Sequence, residues 1–270
     1  MQDWSDAYSS SPYIADAAAF PPRWAAQAEA WRRAAPNARL DQPYGDHPRH
    51  RFDLFLPAGR ADGVVVFVHG GYWMSFDKST WSHLAAGAVA QGWAFALPSY
   101  RLCPEVRISD ITLEIGAAVS AIAAQVTGPL RLAGHSAGGH LVSRLCCEDG
   151  PLPTPLRARL AHTLSLSGLH DLRPLLATRL NQTLHLDEEE ALRESPALLR
   201  PLPATSISCW VGADERPEFR RQNALLANIW TGLGAAAQAV EAPGLHHFTV
   251  IDGLAEPGSA LLGDLLSRPS

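Results

Sequence analysis

Residues Gly134-His135-Ser136-Ala137-Gly138 constrain the fold of this chain more than any other stretch, because they join two segments of different period. Pro129-Leu130-Arg131-Leu132-Ala133 reads as a short buried strand, and Gly139 to Cys147 reads as a small-residue helix. A serine in a Gly-x-Ser-x-Gly turn between strand and helix stands exposed above the sheet edge. Gly134 and Gly138 let neighbouring backbone and side chains approach closely on either side of it. Ser136 is therefore a candidate nucleophile.

The rest of the chain supplies the sheet that such a turn requires. Strands are expected at Arg51 to Leu56, Gly63 to Val68, Trp93 to Leu97, Leu130 to Ala133, Thr163 to Ser167, Ile207 to Val211 and Gln238 to Glu241. Helices are expected between them, at Pro22 to Ala35, Ser79 to Gln91, Ile108 to Val126, Ser136 to Cys147, Pro217 to Gly232 and Leu254 to Leu266. This alternation builds a mostly parallel sheet covered on both faces, an α/β fold. Residues 1–48 form an N-terminal arm and helix. The leucine-rich stretch from His170 to Leu202 is the candidate for a small cap over the site, and its run Asp187-Glu188-Glu189-Glu190 reads as a solvated helix N-terminus.

Ser136 needs partners, and three loops offer them. The apolar strand Val64-Val65-Val66-Phe67-Val68 runs into His69-Gly70-Gly71-Tyr72-Trp73. Amides around Gly70, Gly71 and Tyr72, with that of Ala137, are the candidate donors to an oxyanion formed when Ser136 attacks a carbonyl. A base must take the serine proton, and the loop Pro243-Gly244-Leu245-His246-His247-Phe248 holds two histidines. His247 is favoured, because Phe248, Val250 and Ile251 after it can pack into the core and fix the loop, whereas His246 flanks the cleft. A metal role for the His-His pair lacks a His/Cys/carboxylate cluster at ligand spacing, so no metal and no organic cofactor is expected. Between serine and histidine, the loop Gly212-Ala213-Asp214-Glu215-Arg216-Pro217 offers two acids to orient the imidazole, Glu215 and Asp214.

The order Ser136, acid, His247, with a glycine loop upstream, resembles the α/β-hydrolase fold over nearly the whole chain. His69-Gly70-Gly71 with Tyr100-Arg101-Leu102-Cys103-Pro104-Glu105 looks like the hormone-sensitive-lipase-type esterases, in which alanine usually stands where Cys103 is found. The finer resemblance is to the kynurenine formamidase (arylformamidase) group. It rests on His-Gly-Gly-x-Trp, the Gly-His-Ser-Ala-Gly elbow, Pro217-Glu218-Phe219 with Gln222, and a histidine directly before Phe248. The resemblance implies Glu215 as the acid, three residues past the strand-terminal glycine, with Asp214 as the alternative. Characterised formamidases usually carry aspartate there. It also implies a serine hydrolase that cleaves a small carboxylic ester or an aryl formamide through an acyl-enzyme on Ser136. Some members of the fold are inactive ligand-binding proteins that lost the histidine, but here all three residue types are present.

Composition is consistent with this reading. A chain of 270 residues that is 47% hydrophobic can bury a single large core, and a formal charge of −5 provides no basic stripe for nucleic acid. The start of the chain has no secretory pattern and no apolar run is expected to span a membrane, which together point to the cytoplasm. Cys103, Cys146, Cys147 and Cys209 have no Cys-x-x-Cys spacing and read as reduced thiols. Trp73, Met74 and Phe76, with His246, are the candidate lining of a pocket for a small ester or amide. The aromatic arm, with Trp4, Tyr8, Tyr13, Phe20 and Trp24, either folds over the cleft mouth or forms a homodimer contact.

Overall fold

Strand Val64–Val68 has no polar residue, so its two faces both need cover, and the fold of the chain follows from meeting that need. The structure, a computed structural model, describes residues 3–35 and 37–267. Met1 and Gln2 of the arm, Pro36 and residues 268–270 lie outside the described residues. The strands are β1 (Ala38–Pro43), β2 (Arg51–Phe55), β3 (Val64–Val68), β4 (Ala94–Pro98), β5 (Leu130–His135), β6 (Leu160–Leu166), β7 (Ser206–Gly212) and β8 (Ala236–Ala242). They form one sheet in the order β1-β2-β4-β3-β5-β6-β7-β8. β1 and β2 are antiparallel to their neighbours, and every pair from β4 to β8 is parallel.

The helices are α1 (Phe20–Ala34), α2 (Ala85–Ala90), α3 (Ile108–Gln125), α4 (Ala137–Leu145), α5 (Thr154–Arg157), α6 (Asn181–Leu184), α7 (Glu188–Arg193), α8 (Pro217–Gly232) and α9 (Ala260–Leu266). Alternation along β3 divides the core in two. Val64, Val66 and Val68 join the apolar residues of α3, α4 and α8, whereas Val65 and Phe67 face the cluster of Trp24 from α1, Trp81 and Leu84 from the 3-10 turns before α2, and Leu262 from α9. All four cysteines are buried as free thiols.

All seven expected strands occur, but β1 was not foreseen. It is an exposed edge strand of sequence Ala-Arg-Leu-Asp-Gln-Pro without an apolar face, so it carries no periodic signal. Two expected helices are interrupted. Ser79 to Gln91 begins as two 3-10 turns before α2, and the stretch from Leu254 breaks at Pro257-Gly258 before Ser259 caps α9 through the Leu262 amide (3.0 Å). Contrary to expectation, α3 is long and apolar enough to cross a membrane by length and composition, but in this fold Ile108, Ile111, Ile115, Val119 and Ile122 are buried in the core.

The acidic run is also not simply a solvated terminus. Asp187 caps α7 through the Glu190 amide (2.8 Å), and Glu190, 1% exposed, turns inward to Arg107 Nε (2.7 Å) and Ser109 Oγ (2.8 Å).

Parallel register then gathers the loops. Val68 pairs with Gly134, His135 with Leu166, Leu166 with Trp210 and Gly212 with Ala242, so the chain leaves β3, β5, β6, β7 and β8 at one edge of the sheet.

Candidate active site

Ser136 occupies the turn between β5 and α4 with φ 56° and ψ −116°, a conformation that costs a non-glycine residue about 1–3 kcal/mol. Its amide donates to the Leu166 carbonyl (2.7 Å) and its carbonyl accepts from the His140 amide (3.1 Å), which hold the turn in place. A Cβ on Gly138 would lie 1.9 Å from the Val68 carbonyl oxygen, so this turn reaches its position against β3 only with glycine there. Ser136 is 2% exposed and its hydroxyl has no hydrogen-bond partner among the described residues. It opens instead into a cavity of about 1060 Å³, which His247 also lines.

His247 and Glu215 meet directly. Nδ1–H of His247 donates to Glu215 Oε2 (2.7 Å), while Oε1 of the same carboxylate accepts from Ser167 Oγ (2.5 Å) and the Gly212 amide (2.9 Å). Both residues are buried, at 6% and 7% exposure. With Nδ1 committed as donor, Nε2 is the acceptor nitrogen available to a hydroxyl proton. Asp214 is exposed; its backbone amide donates to the Leu245 carbonyl (3.0 Å) and its side chain faces solvent. The hydroxyl of Ser136 and the ring of His247 are not hydrogen-bonded in this structure; such bonds commonly tighten only when substrate is bound.

The loop after β3 supplies free amides. Gly71, Tyr72 and Trp73 take positive φ of 102°, 50° and 58°, and the amides of Gly70, Gly71, Tyr72 and Ala137 have no acceptor among the described residues. Ala137 is the first residue of α4, so its N–H is one of those a helix leaves unpaired. Tyr100 Oη donates to the His69 carbonyl (2.9 Å), the Cys103 amide donates to the Trp73 carbonyl (2.9 Å), and Arg49 reaches the Phe76 carbonyl (2.5 Å). The Tyr-Arg-Leu-Cys-Pro segment thus anchors the loop. His69 stacks on Tyr100, and burial pulls its pKa down to about 4, so it stays neutral.

The cavity is lined by both apolar and polar residues. Trp24, Phe76, Trp81 and Phe248 form an aromatic wall, with Trp24 and Trp81 ring centroids 4.8 Å apart. Ser5, Asp6 and Ser9 to Pro12 of the arm also line it, with Arg179, Leu180 and Thr183 from the 170–202 stretch. Of the residues proposed for the pocket, Met74 and Phe76 line the cavity, whereas Trp73 and His246 do not. Trp73 is 0% exposed and packs beneath the loop against His140, and His246 turns away onto Phe20 (5.5 Å) while its Nδ1 accepts from the Phe248 amide.

The sequence marked Glu218, Phe219 and Gln222 by motif and Tyr8 as part of the aromatic arm, but not what they touch. Glu218 and Gln222 of α8 bind the arm, through Tyr8 Oη to Glu218 Oε1 (2.7 Å) and Gln222 Nε2 to Tyr8 Oη (3.2 Å). Gln222 Oε1 also accepts the His170 and Asp171 amides at 2.8 Å each, and Phe219 lies against His247 (4.4 Å). Burial opposes ionisation of Glu218, but its bonds to Arg221, Tyr8 and Gln222 prevail and hold its carboxyl below the ordinary value. Tyr72 Oη donates to the Tyr8 carbonyl, so the arm touches the glycine loop as well as α8. Ser167, at positive φ of 51° after β6, could be found only from the structure.

A family model described as alpha/beta hydrolase fold matches residues 65–250. The chain is 28% identical to kynurenine formamidase of Danio rerio over 87% of its own length and 83% of that protein, and 28% identical to the Salmo salar enzyme over 80% and 77%. A crystal structure from Silicibacter sp. tm1040, of a protein provisionally called a thioesterase, is 48% identical, covers 99% of this chain and 100% of that one, and superposes with a TM-score of 0.94.

Proposed function

Since the chain belongs to the alpha/beta hydrolase fold family, we propose that it is a serine hydrolase acting on a small carboxylic ester or an aryl formamide such as N-formylkynurenine. The observation that carries this reading is the convergence on one cavity of Ser136, of the Glu215-bound His247, and of Gly71 and Tyr72, whose amides, like that of Ala137 next to the serine, have no acceptor among the described residues. His247 Nε2 accepts the Ser136 proton as Oγ bonds to the substrate carbonyl carbon, and the amides take the oxyanion. The imidazolium, held by Glu215, returns the proton to the departing alcohol or amine. Water then attacks the acyl-enzyme by the same route, releasing the acid and restoring Ser136.

The walls support this substrate class. A space of about 1060 Å³ has room for more than an acetyl or formyl group, and the wall of Trp24, Phe76, Trp81 and Phe248 suits an aryl ring. The formamidase relatives support the aryl formamide, while an ester is the more easily cleaved bond. The test compares p-nitrophenyl acetate, longer acyl esters, acyl thioesters and N-formylkynurenine, with Ser136→Ala as control and a fluorophosphonate probe as label. Turnover of an ester or formamide that vanishes in Ser136→Ala, with labelling at Ser136, is expected. An unlabelled Ser136 in folded protein that still binds a small ligand would overturn the reading in favour of a binding protein.

A further inference from the structure

We infer that His135, the residue immediately before the nucleophile, is a positioning residue that ties the Ser136 turn, the His247 loop and the glycine loop into one rigid unit and so sets the distance from His247 to Ser136. This inference rests on the reading of Ser136 and His247 given above. Three observations carry it. The first is a bond: Nε2–H of His135 donates to the backbone carbonyl of His247 at 2.8 Å, so the side chain beside the nucleophile grips the main chain of the residue read as its base. The second is a ring contact, since the His135 and His247 imidazoles lie 4.7 Å apart. The third is the approach of Gly70. A Cβ there would stand 2.7 Å from the His135 carbonyl and 3.3 Å from its Nδ1, so the glycine loop rests directly on this residue.

The chemistry of the ring agrees with a clamp rather than a second base. His135 is 4% exposed, and burial, with the neighbouring His247 adding to it, lowers its pKa well below the ordinary value, so it remains neutral. A neutral imidazole that donates from Nε2 has its lone pair on Nδ1, and Nδ1 of His135 is buried without a hydrogen-bond partner among the described residues. A residue retained for stability alone would carry such an orphan acceptor at a cost. What the ring provides is one donor in one place, aimed at the loop that holds the other half of the proton-transfer pair.

The test separates the donor from the bulk of the ring. Glutamine places an amide N–H where Nε2 stands, asparagine places one only as far as Nδ1, and leucine supplies neither. A loosening of about 1 Å between reacting groups costs on the order of 10²-fold in rate. For His135→Leu and His135→Asn, kcat is expected to fall about 10- to 100-fold with KM within about threefold. The rate of fluorophosphonate labelling at Ser136 should fall in parallel, with recovery of most of both by His135→Gln. A His135→Leu protein that is labelled as fast as the unchanged chain, or glutamine and asparagine variants that are equally impaired, would overturn the positioning role. If His135→Leu fails to fold, the comparison of glutamine with asparagine decides alone. An unchanged chain that is not labelled at all refutes the hydrolase reading instead, so the two failures are distinguishable.

Discussion

Replacing Glu215 by glutamine isolates the charge of the carboxylate from its shape. In the structure Oε1 accepts from Ser167 Oγ (2.5 Å) and the Gly212 amide (2.9 Å), and Oε2 accepts from His247 Nδ1 (2.7 Å). The glutamine oxygen keeps the place where two donors converge, which turns its NH₂ toward His247. That NH₂ can only donate, so Nδ1 must become the acceptor and the ring proton moves to Nε2, where it blocks transfer from Ser136. The same tautomer inversion in a serine-protease triad lowers kcat by about 10⁴, which corresponds to about 5 kcal/mol of transition-state stabilisation. Glu215→Gln is therefore expected to lose about 10⁴-fold in initial rate on p-nitrophenyl acetate, after subtraction of the Ser136→Ala background, with an unaltered circular dichroism spectrum. Asp214→Asn should stay within about twofold, because that side chain faces solvent. A Glu215→Gln protein retaining more than a tenth of the rate, or an Asp214→Asn protein losing more than tenfold, would refute the assignment.

Tyr8→Phe removes the hydrogen bond to buried Glu218 and the longer one accepted from Gln222 Nε2 (3.2 Å), while the Glu218 carboxylate still accepts two N–H groups of Arg221 (2.7 Å each) and Gln222 Nε2 (3.0 Å). The loss should be about 1–2 kcal/mol, seen by calorimetry as a Tm lower by a few degrees, with a raised KM because the arm lines the cavity. Burial, reinforced by Glu256 against the opposing Arg23, pushes Asp252 up from 3.8 to about 6. Its neutral form is the one favoured on folding, so its contribution is fully present below pH 3.8 and is lost as pH rises through 6. Denaturant melts should accordingly show Asp252→Asn gaining on the unchanged chain between those limits, to a plateau of about 1–2 kcal/mol after discount for partial exposure. A flat difference across that window would show that the carboxyl is solvated. Gly138→Ala drives a methyl against the Val68 carbonyl and should destabilise by about 3 kcal/mol, read as a fall in Tm or loss of soluble protein.

What the sequence conveyed about this molecule tracks how local the cause is. The buried strands were legible because Val64–Val68 and Leu130–His135 show it in composition, and the Ser136 turn was legible because two glycines bracket it between a strand and a helix. Edge strand β1 was hidden, since an exposed antiparallel edge needs no apolar alternation. The pocket was half legible. Residues 72–76 follow one another in a loop of positive φ that reverses side-chain direction, so adjacency did not say that Trp73 goes beneath and Phe76 toward the cavity. Tyr8, Ser167, Glu218 and Gln222 act through contacts between residues as many as 214 positions apart, and no local pattern encodes such pairs.

The choice between Glu215 and Asp214 illustrates how loop geometry outranks residue type. The Glu215 amide donates to the Gly212 carbonyl (3.1 Å) and the Asp214 amide to the Leu245 carbonyl (3.0 Å), so the backbone of this loop is tied to the end of β7 and to the histidine loop before either side chain is placed. That tie sends position 214 outward and position 215 inward, where the longer glutamate reaches His247, Ser167 and Gly212 together. Other loops at this sheet edge are joined in the same manner, Ser136 N–H to the Leu166 carbonyl and His135 to the His247 carbonyl. The two apolar clusters flank the sheet below them. Rate and stability should therefore separate across this edge, with substitutions in the cross-loop bonds lowering turnover more than Tm. Gly138 is the exception, because there the turn presses on β3 itself and the fold and the site share one contact.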